Sequence, residues 1–153
     1  NKQIRQFTGN DYAPILARGD LMAAMSWSGD IAQLGNPHIH WNVPEAGGAL
    51  WTDNMLIPTG GNVYTASVYM NYVYDPKVQG FMEAGDPKTN VTGIYYIPPV
   101  KGAGAAAKKW DPSVANNPLI FPSAKTLSKV KIFDSKALNN QKYLEQWQNL
   151  VSG

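Results

Sequence analysis

A chain of 153 residues, 44% apolar and 11% aromatic with no low-complexity tract, has the make-up of a folded globular polypeptide of one domain's length. Thirteen Lys and Arg against eleven Asp and Glu leave a formal charge of +2. The basic residues are dispersed, so nucleic-acid binding is excluded for want of a clustered positive face. The absence of cysteine excludes disulfides, thiolate metal sites and cysteine nucleophiles, and no apolar stretch approaches the ~18 residues that span a membrane.

The pattern Asp11-Tyr-Ala-Pro-Ile-Leu-Ala-Arg-Gly19 predicts a short helix, with Asp11 as cap, Pro14 in the first turn and Gly19 as the stop. Leu21 to Trp27 has strand length and is apolar on both faces, as a central strand covered by helices would be. Ser28-Gly29-Asp30 then turns the chain into a short helix, Ile31 to Leu34. Ile39 to Val43 alternates in the strand manner, Pro44 to Gly48 closes it as a loop, and Ala49 to Asp53 extends again.

Asn62 is placed to cap a helix through Tyr74 with Ala66, Tyr69, Met70 and Val73 on one stripe. Asp75-Pro76 ends that helix and starts another to Met82; Gly85 to Asn90 reads as a loop and Ile94 to Ile97 as a strand. Gly102 to Lys109 is alanine-rich and helical in character. Asn116 to Pro122 is a loop, Ser123 caps Ala124 to Val130, and Ser135 to Val151 forms one amphipathic helix through Leu138, Leu144, Trp147 and Val151. Strands alternating with helices argue for an α/β fold with a largely parallel sheet, whose loops hold the ligand.

Two short sequences carry chemistry. Trp27-Ser-Gly-Asp30 sets an indole and a carboxylate at a strand end, separated by a glycine that lets a ligand approach the backbone. In Trp51-Thr-Asp53 the two side chains are two apart in extended chain and share a side. Cation–π attraction and charge-assisted hydrogen bonds, about 1–2 and 1.5–3 kcal/mol when desolvated, are how proteins hold ammonium groups. Each pair also has a plainer reading: Asp30 as a helix cap, and Trp51 with Asp53 as a core indole beside a turn acid. Tyr95-Tyr96 before Pro98-Pro99 is a stiff corner that could present a phenol to a cleft, or simply pack.

His38 and His40, two apart on a strand, could share a face toward a metal. No HExxH accompanies them, no GxSxG elbow is present, and the glycine pairs lack the frame of a phosphate cradle. Catalysis has no motif, and neither cofactor nor metal is implied.

Taken in order and spacing, these segments resemble the spermidine/putrescine-binding proteins of bacterial ABC importers, a branch of the two-lobed periplasmic-binding-protein (type II) fold. The resemblance runs from about Tyr12 to Trp147. It is carried by Leu16-Ala-Arg-Gly-Asp20, Met25-Ser-Trp-Ser-Gly-Asp30, Trp41-Asn-Val-Pro-Glu-Ala-Gly-Gly48, Leu50-Trp-Thr-Asp-Asn-Met-Leu-Ile-Pro58, Ala66 to Pro76, Tyr96-Ile-Pro-Pro-Val-Lys-Gly-Ala103 and Asn117-Pro-Leu-Ile-Phe-Pro122. By resemblance Trp27, Asp30, Trp51, Asp53 and Tyr96 form a half-site, the acids meeting ammonium groups and the rings walling the methylenes. An insertion around Gly85 to Val91 departs from the family pattern next to Tyr96.

The resemblance implies the C-terminal half of a longer protein, with residues 1–50 in the second lobe, 51–102 contributing to the first, and 103–153 returning to the second. It implies a polyamine ligand, a membrane permease as partner, and a missing N-terminal half or another copy of the chain to cover apolar faces. A periplasmic or extracellular location follows, with any export signal or lipid anchor expected upstream of Asn1. The competing readings are a hydrolase or metal-dependent enzyme using His38 or His40, and a truncated fragment without ligand affinity.

Overall fold

Capping residues and glycine stops place most of the helices. The computed structural model of the chain describes residues 4–132 and 134–152, the side chains of residues 137 and 138 excepted. Helix α1, Tyr12–Ala17, is followed by Gly19 at φ +80°, a left-handed conformation that glycine adopts without steric penalty; Asp11 makes no side-chain cap bond. Helix α2, Ser28–Leu34, packs against α1, buries Ile31 and ends at left-handed Gly35.

Helix α3, Val63–Val73, begins as expected, with the Asn62 side chain accepting from the Thr65 N–H at 2.9 Å. Asp75 Oδ1 accepts from the Lys77 N–H at 2.7 Å and opens α4, Pro76–Ala84, with proline in the first turn. Three shorter helices follow: α5, Ala103–Ala107, then α6, Pro112–Ala115, capped by Asp111, and α7, Ala124–Leu127, capped by Ser123.

The core forms where α4 meets α5. Gln79, Gly80, Glu83 and Ala84 lie on the buried side of α4, and a Cβ on Gly80 would stand 2.6 Å from the Ala106 Cβ and the Ala107 nitrogen. Only glycine permits that approach. Ala84, Ala107, Val114 and Ile120 make the buried cluster, with Ala32, Tyr95, Ala115 and Phe121 packed around it.

Two small sheets complete the architecture. Strand β1, Gly48–Leu50, pairs in parallel with β4, Val130–Ile132, Gly48 opposite Val130 and Leu50 opposite Ile132. Strands β2, Gly85–Asp86, and β3, Val91–Thr92, form an antiparallel hairpin where the sequence reads as a loop. Its turn is held by the Asp86 carboxylate, which accepts from the Lys88 N–H at 2.9 Å, and by Asn90 at φ +58°, a conformation asparagine tolerates.

The helices and strands are mixed, but the expected layered parallel sheet is reduced to one parallel pair. Leu21 to Trp27, Ile39 to Val43 and Ile94 to Ile97 belong to no ladder among the described residues. A strand exists only through its neighbours, and the wholly exposed Met22 and Met25 show that nothing covers the first of these stretches. Helix α7 stops at Leu127 instead of Val130, because Val130 enters β4.

The final helix is broken into α8, Ser135–Leu138, and α9, Gln141–Ser152. Asn140 Oδ1 accepts from the Lys142 N–H at 3.1 Å and so caps α9 afresh. Leu144, Trp147 and Val151 of the expected stripe are exposed, with Phe7 edge-on to Trp147 at 5.2 Å; the Leu138 side chain lies outside the described residues.

Candidate functional site

Three segments distant in sequence meet at one open corner. The start of α2 brings Trp27 and Asp30, the extended chain after β1 brings Trp51, and the segment after β3 brings Tyr96. The indoles of Trp27 and Trp51 meet edge to face, with centroids 4.0 Å apart and planes at 79°. Both remain in part accessible, at 44% and 43% exposure.

Tyr12 organises the first of these segments from beneath. Its hydroxyl accepts from the Trp27 N–H at 2.8 Å and donates to Asp30 Oδ2, so one buried phenol fixes both the indole's backbone and the carboxylate. Burial pushes Tyr12 up to about 12, and the bond to Asp30 adds to that rise. Trp27 Nε1 donates to Asn10 Oδ1 at 3.1 Å. Among the described residues Asp30 accepts no bond from the amides of α2, so it is held by Tyr12 and not used as a cap.

Gly29 ties this corner to Tyr96. A Cβ there would collide with the Tyr95 carbonyl and stand 3.8 Å from Cδ1 of the Tyr96 ring. Tyr95 itself is left-handed at φ +57°, unusual for an aromatic residue, and its ring packs on the core. That turn of the backbone sends Tyr96 outward, 58% exposed, with its N–H bonded to Glu83 Oε2 at 2.7 Å. Glu83 is 1% exposed, and burial pushes its carboxyl up to about 7 against the smaller opposing effect of the Tyr96 N–H.

The structure therefore brings Trp27, Trp51 and Tyr96 into neighbouring positions with Asp30 beside them. Asp53 is exposed, two residues beyond Trp51, and makes no hydrogen bond or ion pair among the described residues. Neither acid has a cationic partner there; Asp30 shares the corner with the aromatic rings, whereas Asp53 follows Trp51 on exposed chain without contacting them in any hydrogen bond or ion pair among the described residues.

The remaining candidates fall elsewhere. His38 and His40 are exposed, the His38 N–H bonding Asn36 Oδ1 at 3.0 Å, and no group of three or more His, Cys, Asp or Glu forms among the described residues. One hollow between Trp41 to Val43 and Pro118-Leu119, flanked by Lys125 and Lys129, includes none of the predicted site residues, although Trp41 Nε1 donates to the Ser26 carbonyl beside Trp27 at 3.3 Å; another lies between α3 and α4. No described helix is long and apolar enough to cross a membrane.

Sequence reasoning missed Tyr12 and Glu83. Nothing local marks Tyr12, which works across 15 to 18 positions. Glu83 leaves a trace: with Gln79, Gly80 and Ala84 it falls on one helical stripe of small and polar residues, a face suited to close packing.

Comparison with known proteins gives similarity to a class of extracytoplasmic polyamine-binding proteins. The putrescine-binding periplasmic protein SpuD of Pseudomonas aeruginosa is 24% identical over 160 residues, covering 98% of this chain and 41% of the relative. The spermidine/putrescine-binding periplasmic proteins of Salmonella typhimurium and Escherichia coli K12 are 27% and 26% identical, each again covering 98% of this chain and 41% of the relative. The chain thus spans well under half the length of these relatives. No family model and no solved structure matches.

Proposed function

We propose that this chain supplies one wall of the ligand cleft of a periplasmic or extracellular solute-binding protein, which carries a polyamine to an ABC importer. Trp27, Trp51 and Tyr96 line the methylenes, and Asp30 and Asp53 meet the ammonium groups. The observation that carries the reading is the Trp27–Trp51 edge contact at 4.0 Å beside the tethered Asp30, built from segments that only the fold brings together. The relatives, named for putrescine and spermidine, supply the ligand class.

A polyamine is an alkyl chain carrying two or more cations, so aromatic walls and spaced carboxylates suit both its parts. Each desolvated carboxylate needs a cation, which disfavours neutral solutes of similar shape. Binding by lobe closure, without covalent chemistry, follows for a receptor of this kind.

The parent protein is a two-lobed type II binding fold of which this is the C-terminal part, residues 1–50 and 103–153 belonging to one lobe and 51–102 to the other. The β1–β4 pair joins the first and third of these segments and favours that grouping, whereas the packing of α5 on α4 and the core of Ala84 with Ala107, Val114 and Ile120 run across the proposed boundary at residue 102. The missing N-terminal half, or a second copy, covers the apolar faces left open here. A membrane permease receives the closed form.

Calorimetric titration of putrescine and spermidine into the full-length protein tests the assignment. Saturable binding of either amine is the expected result, with Asp53→Ala weakening it about tenfold or more through loss of a charge-assisted bond. Binding of a sugar or a neutral amino acid in place of both amines ends the polyamine reading.

A further inference from the structure

We infer that Glu83 is the positioning residue of the Tyr96 wall, resting on the cleft assigned above: it holds the Tyr95-Tyr96 corner through the Tyr96 main-chain N–H and never meets the ligand. Glu83 sits on the face of α4 that packs toward α5, 1% exposed, and its Oε2 lies 2.7 Å from the Tyr96 nitrogen. It is the one buried acid among the described residues. An apolar side chain would pack there with less penalty, so a carboxyl kept out of water needs a reason.

The reason lies in the backbone it holds. Tyr95 at φ +57° is strained for an aromatic residue, and such a conformation persists only where its surroundings over-determine it. Three restraints act on this corner. The Tyr95 ring packs on the core, the Ile94 N–H donates to the Met82 carbonyl at 2.9 Å, and Glu83 accepts from the Tyr96 amide two residues on. The Glu83 carbonyl is also crowded against Gly93, where no side chain fits. Without the carboxyl the Tyr96 amide is left unpaired beneath the surface, and the corner is free to relax toward ordinary β geometry. Tyr96 would then swing from its place beside Gly29.

The titratable groups on the surrounding elements are Asp75 and Lys77 at the start of α4, Asp86 on β2, Tyr64, Tyr69 and Tyr72 on α3, Lys101 and Lys108 flanking α5, and Asp111 at the start of α6. None is bonded or ion-paired to Glu83 among the described residues, and α5 is alanine and glycine throughout. Proton loss by Glu83, with its carboxyl pushed up to about 7 by burial, is therefore felt first at the Tyr96 N–H, which gains a charge-assisted bond.

Amide NMR of the 153-residue chain reads that bond without any ligand. Between about pH 5 and about pH 9 the Tyr96 amide proton moves downfield with a midpoint near the Glu83 value, and in Glu83→Gln the movement disappears while the amide stays protected. A Tyr96 amide indifferent to pH in the unmodified chain, or one titrating equally in Glu83→Gln, overturns the assignment. In the full-length protein Glu83→Gln, which keeps the acceptor, holds putrescine affinity within about twofold; Glu83→Leu loses about tenfold or more, with circular dichroism confirming a folded protein. Equal affinities for the two variants also overturn it. Should the unmodified protein bind no amine while the Tyr96 amide titrates with Glu83, the polyamine reading falls and the link between Glu83 and Tyr96 stands.

Discussion

The α4–α5–α6 region and the region of α3 and α9 both carry apolar side chains in helices and behave in opposite ways. In the first, Gly80 and the alanines of α5 bring two backbones together, and Ile120 is closed off completely beneath them. In the second, Val63, Tyr64, Val68, Tyr69 and Tyr72 on α3 are exposed, as are Tyr143, Leu144 and Trp147 on α9; neither helix buries a residue among those described. Amphipathicity makes a helix ready to pack, but small facing residues decide whether a partner in the same chain can reach it.

Truncation separates the regions most sharply. Ile120→Ala, at 0% exposure, should lower unfolding stability by about 2–5 kcal/mol through lost burial and the cavity left behind. Tyr64→Ala on α3, at 80% exposure, should change it by less than about 0.5 kcal/mol. Denaturant unfolding of both variants checks this, and equal losses would mean that the exposed face is covered in solution.

The buried acid gives the next largest effect. Glu83 holds its proton in the fold up to about pH 7, whereas the unfolded chain releases it near 4.5. A raised carboxyl value means that stability is full below the unfolded value and falls as pH rises through that window, by up to about 3 kcal/mol. Denaturation midpoints measured across this range should fall in the unmodified chain and flatten in Glu83→Gln. A flat profile in both would place Glu83 in water.

Removing a cap in the open region has a smaller effect than the buried acid. Asn62→Ala removes the α3 cap and should cost about 1 kcal/mol of local helix stability, visible as faster amide exchange over Val63 to Ala66. Because α3 buries nothing in this chain, the loss should stay local and leave the α4–α5 amides protected. A loss of protection in α4 as well would show the two regions to be one cooperative unit.

The candidate corner is partly legible in the amino-acid sequence. Trp27 with Asp30 and Trp51 with Asp53 stand out as indole and acid at short spacing, and the fold sets the two indoles edge to face. Tyr12 and Glu83 are not legible there, since each acts on a residue 13 or more positions away through hydrogen bonds. Local spacing carries no trace of such a bond.

The sequence by itself determined the helix starts at Asn62, Asp75 and Ser123, because a cap is satisfied by amides two or three residues away. It also determined the apolar stretches, though not what they became: Leu21 to Trp27 has the composition of a central strand and pairs with nothing described. Only the tertiary structure decided which stretches found a ladder, that Val130 left its helix for β4, that Tyr95 turned left-handed, and that an acid on α4 reached the amide of Tyr96. The physical reason is range. Caps and turns are settled within one turn of chain, whereas pairing, burial and a buried proton depend on what another segment brings.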